Sequence, residues 1–252
     1  MAYAEVNGLS MYHEVRGEGD TPLVLLPGGL LTIEGSFGDV LEPLSRGRRV
    51  VAAELQGHGR TADNPRAMTV PALAGDVAGL LDRLGIGRAD VLGFSLGGMV
   101  ALELALSRPE RVRRLVLASV STSPDGSYPE TQPGSADMTS KRMPAMAEFA
   151  AMEADFRRVA PDPGAWPRIA AKASAMVGGF PGWPEARLRS LATPTLLLMG
   201  DTDFVRLEHA ARLLEVLPDA RLGVLPACKH MQVPHRTAEV LAMVEPFLDG
   251  PA

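Results

Sequence analysis

Apolar residues in this chain fall into short unbroken runs separated by stretches of helical spacing. The runs are Pro22-Leu23-Val24-Leu25-Leu26, Arg49-Val50-Val51-Ala52-Ala53, Asp90 to Phe94, Leu115-Val116-Leu117-Ala118, Thr195 to Met199 and Arg221 to Leu225. Continuous rather than alternating runs predict strands buried on both faces, as in a parallel sheet. Two alternating runs come first, Tyr3 to Val6 and Leu9 to Val15. They are joined by Asn7-Gly8, a strong hairpin signal, and predict an antiparallel edge.

Between the runs lie helical patterns. Leu73, Val77, Leu80, Leu81 and Leu84 recur at helical spacing and predict a helix over Thr69 to Leu84, with Thr69 as N-cap, Pro71 early and Gly85 as C-cap. A second helix over Leu96 to Ser107 is apolar nearly all round, which predicts a buried central position, and Pro109 bars its extension. Helices are also predicted at Glu208 to Val216 and Thr237 to Leu248, and no element is assigned to residues 31–48. The alternation breaks at residue 120. Residues 120–137, rich in Ser, Pro, Gly, Thr and Asp, read as an exposed loop, and three helices follow over Met143 to Val159, Trp166 to Val177 and Glu185 to Leu191. The prediction is an α/β fold: a mostly parallel sheet flanked by helices, its core built from residues 1–119 and 193–252, with a helical cap inserted at 120–192.

Composition narrows the function classes. With 46% hydrophobic and 22% charged residues among 252, the chain reads as a soluble globular protein with a substantial core. A net charge of −5 with no basic block gives no footprint for nucleic acid. Cys228 is the single cysteine, so no intramolecular disulfide is possible. The start, MAYAEVNGLS, does not read as a signal peptide. The longest apolar stretch, Leu23 to Leu31, carries Pro27, Gly28 and Gly29 and falls far short of the roughly 20 residues a membrane span needs. A cytoplasmic location is the expectation. The sequence shows no metal cluster, P-loop or dinucleotide motif, so neither metal nor cofactor is expected, and it says nothing of oligomeric state.

One short stretch carries chemistry. Gly93-Phe94-Ser95-Leu96-Gly97 is a G-x-S-x-G pattern between a predicted strand and a predicted helix, the context of a nucleophile elbow. The pattern also arises by chance in tight turns, and the strand–turn–helix setting is what favours the nucleophile. A serine hydroxyl needs a base, itself oriented by a third group. Three histidines follow Ser95. His209 sits within a predicted helix and reads as a surface residue, and His235 falls at the start of the last helix. His230 lies in the loop after the last predicted strand, on the sheet edge where ligands gather in open α/β folds, and is preferred. Two acids, Asp201 and Asp203, end the strand before it; either one orients the base, or it shapes the turn. At Pro27-Gly28-Gly29-Leu30 the Gly29 amide offers an oxyanion donor to pair with that of Leu96, or the stretch is an ordinary turn.

Taken together, LLPGG at 25–29, ELQGHGRT at 54–61, GFSLGG at 93–98, LLLMGDTD at 196–203 and KHMQVPH at 229–235 resemble the α/β-hydrolase superfamily, in its serine esterase and haloperoxidase-like branch with a small helical cap. The resemblance implies an eight-stranded, mostly parallel sheet and a Ser95–Asp203–His230 triad. It also implies an oxyanion hole at Gly29 and Leu96, and His58 as a loop-shaping residue. The implied activity is hydrolysis of a carboxylic ester, thioester or lactone of a small to medium apolar molecule through an acyl-enzyme. Cofactor-free haloperoxidase or perhydrolase activity, carbon–carbon bond hydrolysis and hydroxynitrile lyase activity use the same triad, and a ligand receptor with a vestigial triad is the non-enzymatic alternative. Pro27 stands where the family has histidine, and Lys229 where it has glycine before the catalytic histidine. Serine at the elbow departs from the dehalogenase and epoxide-hydrolase branches.

For the substrate pocket, Phe94, Leu30, Met143, Met146, Trp166 and Trp183 are the candidates. The cap's other large apolar residues, Met138, Met152, Met176, Phe149, Phe156 and Phe180, also suit an adaptable apolar site. The alternative for most of these is the cap's own core. Glu148, Glu153 and Asp155 either hold an amine or form a solvated helix face, the latter being favoured.

Overall fold

The computed structural model describes residues 2–250. Its elements in chain order are β1 (Ala2–Val6), β2 (Leu9–Arg16), β3 (Leu23–Leu26), α1 (Ile33–Ser45), β4 (Val50–Ala53), α2 (Val70–Arg83), β5 (Ala89–Phe94), α3 (Leu96–Ser107) and β6 (Val112–Ala118). There follow α4 (Met146–Val159), α5 (Trp166–Gly178), α6 (Glu185–Arg189), β7 (Thr195–Thr202), α7 (Leu207–Val216), β8 (Ala220–Lys229) and α8 (Thr237–Asp249). The eight strands form one sheet in the order β1-β2-β4-β3-β5-β6-β7-β8. Asn7 and Gly8 both take positive φ (49° and 78°), the turn that matches strand twist, and close the β1–β2 hairpin. β2 also pairs antiparallel with β4; every later pairing is parallel.

Strand alternation divides the interior in two. Val24, Leu26, Val51, Val91 and Leu117 face a core completed by α2 and α3. Their neighbours Leu23, Leu25, Val50, Leu92 and Val116 face one completed by α1 and α8. Both faces are covered, so the strands are apolar throughout. α3 is buried from Leu96 to Ala105. Its one charge there, Glu103, accepts hydrogen bonds from Trp183 Nε1 (2.7 Å) and Arg187 Nη2 (2.9 Å), which ties α3 to the segment that carries α6.

Three stretches differ from the sequence expectation. α1 occupies residues that were assigned no element: Ile33, Phe37, Val40, Leu41 and Leu44 are buried at helical spacing, behind the N-cap Thr32, whose side chain accepts from the Gly35 amide. Gly35, Gly38 and Pro43 mask this helix in the sequence, and packing outweighs their weak propensity. α4 starts at Met146 rather than Met143, because Pro144 disfavours helical backbone in the residue before it. β8 runs past the expected end at Leu225, through Pro226, to Lys229. As the outermost strand it tolerates a proline that an interior strand would exclude.

The insert between β6 and β7 packs in two ways. Phe156, Ala165 and Ile169 form a small cluster of their own, whereas Ala173, Met176, Trp183, Leu188 and Leu191 join the α2–α3 core. Among the described residues, no helix is long and apolar enough to cross a membrane.

The loop after β4 is held by a buried carboxylate. Glu54 accepts from the amides of Ile33 (3.1 Å) and Arg60 (2.5 Å) and from Arg60 Nη1 (3.0 Å). Thr61 Oγ1 donates to the Glu54 carbonyl (2.8 Å) and accepts from the Tyr12 amide (2.9 Å). His58, fully buried in the same loop, places Nδ1 2.8 Å from the Gln56 carbonyl oxygen, and burial lowers its pKa. Replacing Glu54 by Ala leaves two amides without their acceptor and leaves Arg60 paired with Glu34 (2.6 Å) alone; we expect a loss of about 2 kcal/mol in urea unfolding. Glu54→Gln, which keeps an acceptor, loses less.

Candidate functional site

Ser95 sits between β5 and α3 with φ 51° and ψ −116°, a conformation that non-glycine residues rarely adopt. The turn is held from both sides. Ser95 donates its amide to the Ala118 carbonyl of β6 (2.8 Å), and its own carbonyl accepts from Met99 in the first turn of α3 (3.0 Å). Gly93 and Gly97 make the approach possible. A Cβ on Gly93 would strike the backbone of Gly97 and Gly98, and one on Gly97 would strike the carbonyls of Leu26 and Pro27. The elbow and the turn after β3 therefore touch backbone to backbone. Phe94, beneath the elbow, is fully buried, and its ring packs against Gly28.

His230 follows β8 in a 3₁₀ turn (His230–His235) and lies 5% exposed. Phe204 stacks on its ring at 4.1 Å and 9°, and Phe94 supports it from another side at 5.1 Å. Nε2 is 2.9 Å from Ser95 Oγ and Nδ1 is 2.6 Å from Asp203 Oδ1. An ionised carboxylate only accepts, so Nδ1 carries the proton and Nε2 presents its lone pair to the serine hydroxyl.

Asp203 is wholly buried. Burial alone would raise its pKa, but the charge and hydrogen bond of His230, the Ser119 hydroxyl (2.5 Å) and the Gly200 amide (3.2 Å) outweigh it and hold the carboxyl below its ordinary value. The Phe204 amide adds a 2.6 Å bond. Asp201, two residues earlier, points elsewhere. It accepts from the amides of Ala227 (2.9 Å) and Cys228 (3.2 Å) and pins the irregularity where β7 meets β8. Of the two acids that the sequence left open, Asp203 meets His230 and Asp201 shapes the turn. Ser119, with φ 58° at the end of β6, is part of the site but was not singled out in the sequence. Its position at a strand's carboxyl end, beside the elbow strand, is the only signal that would have found it.

The Gly28 amide is used by Ser36 Oγ (3.2 Å). The next amide, that of Gly29, has no protein acceptor among the described residues, and Gly29 lies beside Leu96. The Leu96 amide begins α3 and has no intrahelical partner. Leu30 holds positive φ (66°) and Leu31 donates to the Gly28 carbonyl (3.1 Å), which fixes this turn without the family's histidine. Lys229, in the family's glycine position, sends Nζ to the Met143 carbonyl (3.4 Å).

A cavity of about 160 Å³ opens at Ser95 and His230. None of the six pocket candidates lines it. Met146 is 70% exposed on α4, and Met143 is buried under Lys229. Trp166 packs on Phe156 (5.3 Å), Trp183 is taken by Glu103, Phe94 lies below the elbow, and Leu30 packs with the Phe156 cluster. Most of these large side chains fill the interior of the insert and its seam with the sheet. The cavity wall comes instead from the stretch read as an exposed loop, notably Ser121, Ser127, Thr131 and Gln132, with Val177 and Phe180 opposite. His209, expected at the surface, is half-buried and secures that stretch by accepting from the Thr122 amide (3.1 Å). Glu148 caps α4 at the Ala145 amide, and Glu153 and Asp155 pair with Arg157 and Arg158 on a solvated face.

The closeness of the elbow gives a test of stability. Gly97→Ala forces two backbones apart and is expected to cost about 2 kcal/mol in urea unfolding. At Gly29, a Cβ would meet Leu96 at an ordinary 3.6 Å, so Gly29→Ala should change stability by less than about 0.5 kcal/mol.

Comparison with known proteins places this geometry. The family model for the alpha/beta hydrolase fold matches residues 21–163. RutD of Pseudomonas savastanoi pv. phaseolicola, provisionally named a carbamate hydrolase, is 31% identical over 243 residues, covering 85% of this chain and 90% of its own. The sn-1-specific diacylglycerol lipase ABHD11 of Mus musculus is 25% identical, covering 94% of this chain and 84% of its own. Some other relatives match over about half or less of their own length. Among solved structures, Est816, described as an N-acyl homoserine lactone degrading enzyme, superposes with a TM-score of 0.80 at 25% identity, covering 97% of this chain and 99% of its own. With the matched family model spanning more than half of its length, the chain belongs to the alpha/beta hydrolase fold family and is a hydrolase.

Proposed function

We propose that the protein is a serine hydrolase that cleaves a carboxylic ester, thioester or lactone through an acyl-enzyme. The observation that carries this reading is the unbroken chain from Ser95 Oγ to His230 Nε2 (2.9 Å) and from His230 Nδ1 to Asp203 Oδ1 (2.6 Å) at the mouth of a cavity. His230 takes the hydroxyl proton as Ser95 attacks the carbonyl carbon, and Asp203 stabilises the imidazolium that forms. The amides of Gly29 and Leu96 receive the developing oxyanion, aided by the N-terminus of α3 behind Ser95. His230 returns its proton to the leaving group. It then activates water to release the acid.

Two features support His230 as a general base held ready for its nucleophile. Asp203 stays ionised, which fixes the imidazole tautomer. Phe204 and Phe94 hold the ring in place and keep bulk water from its faces. A relative named for carbamate hydrolysis, one named as a lipase and a structural neighbour titled for lactone degradation fit an acyl-transfer reading, and they leave the substrate open.

Ser95→Ala is expected to lower kcat on p-nitrophenyl esters by about 10³-fold or more and to abolish labelling by a fluorophosphonate. Retained turnover with labelling at another residue would sink the proposal. Asp203→Asn should lower kcat by about 10⁴-fold through the wrong tautomer. Asp201→Asn, which touches only the β7–β8 turn, should leave kcat near the parent value; a large loss there would exchange the roles of the two acids.

A further inference from the structure

We propose that the cavity beside Ser95 is built for an uncharged substrate group that carries a hydrogen-bond donor, a hydroxyl or an amide N–H. This deepens the serine-hydrolase reading and rests on it for which bond is cut. The recognition itself follows from what the wall has left to offer.

The wall is rich in hydroxyls, but the protein has already engaged most of their hydrogens. Ser121 Oγ donates to the Ser123 carbonyl (2.6 Å) and Thr131 Oγ1 to the Tyr128 carbonyl (2.8 Å). The Ser123 hydroxyl faces the Asp125 carboxylate and helps hold it below its ordinary pKa. Gln132 uses Nε2 on the Pro124 carbonyl (2.6 Å), which assigns its Oε1 as the free end. A hydroxyl that donates keeps its oxygen lone pairs, and an amide whose NH₂ is engaged keeps its carbonyl. Ser121, Ser123, Thr131 and Gln132 all line the cavity, so what they have left for a ligand is acceptors. Ser127 Oγ, with no protein partner among the described residues, can serve in either role.

Charge complementarity excludes ionic groups. Among the described residues that line the cavity, the one titratable side chain is His230. Arg142 is turned to the Asp203 carbonyl and the Tyr128 ring, and Lys229 to the Met143 carbonyl, so neither lines the wall to receive a carboxylate. Val177 and Phe180 supply the apolar part, which suits a short carbon skeleton. An apolar group placed against the acceptors displaces water without replacing its hydrogen bonds and loses affinity. An ether does the same, because it brings only another acceptor. A hydroxyl or amide N–H replaces the water directly.

The test separates binding from turnover. The Ser95→Ala protein is titrated with methyl 3-hydroxybutanoate, methyl 3-methoxybutanoate and methyl butanoate by ligand-observed NMR. The hydroxy ester is expected to bind about fivefold more tightly than the other two, the effect of one net hydrogen bond. Thr131→Val and Gln132→Met should each shrink that ratio, and Thr131→Ser should restore it. Equal binding by the three esters, or tighter binding of the methoxy ester, overturns the proposal. The unmutated protein, assayed on the p-nitrophenyl esters of the same acids, gives the independent arm. A hydroxyl preference in binding without turnover upholds this inference and removes the hydrolase mechanism. Turnover that depends on Ser95 without hydroxyl preference removes this inference alone.

Discussion

The site is organised around one buried anion. Asp203 carries its charge in a place closed to water, where an unpartnered carboxylate would cost several kcal/mol. It is held there by donors from separate parts of the chain: Ser119 after β6, Gly200 in β7, the amide of the next residue, and His230 after β8. Each donor must arrive at its place for the charge to be tolerated, so the carboxylate fixes the relative positions of three strand ends. His230 can meet Ser95 at hydrogen-bond distance only because both it and Ser119 are anchored to the same group. The proposed chemistry and the solvation of Asp203 are thus one structural problem with one solution.

The elbow imposes a second constraint, steric rather than electrostatic. Backbone contact between the start of α3 and the turn after β3 leaves no room for side chains at Gly93 and Gly97. That contact sets Gly29 beside Leu96 at the start of α3. Pro27 in place of the family's histidine is tolerated because Ser36 Oγ, the Gly28 carbonyl and the left-handed backbone of Leu30 hold the turn by other means.

The strands and the two long helices α2 and α3 were legible because apolar burial on both faces writes itself directly into the sequence. The Ser95 and His230 positions were legible because they follow strands at one edge of the sheet; placement alone left Asp203 beside Asp201, since both end the same strand, and only the family resemblance pointed to Asp203. α1 was hidden by Gly35, Gly38 and Pro43, whose weak propensity is overridden by packing that a local reading does not see. The carboxyl end of β8 was hidden by Pro226, which is harmless on an edge strand. The cavity wall was the least legible part. Ser, Pro and Gly at residues 120–137 carry the composition of an exposed loop, yet 3₁₀ turns and the His209 anchor fold part of that stretch back over Ser95. Conversely, the large apolar side chains that suggested a pocket mostly went to interior packing. Composition tells what a segment is made of; which side faces the substrate is settled by contacts distant in sequence.

The uneven packing of the insert bears on which part of it can move without disturbing the cavity. α5 and α6 share the main core and are clamped to α3 through Trp183, Arg187 and Glu103, so moving them would disturb the helix behind Ser95. α4 rests mainly on a cluster of three buried side chains and carries exposed Met146 at its outer end. Local opening draws on the least supported element. Among the described residues α4 lines no part of the cavity, whereas Val177 and Phe180 of the clamped half do, so loosening α4 leaves the shape presented to a ligand in place.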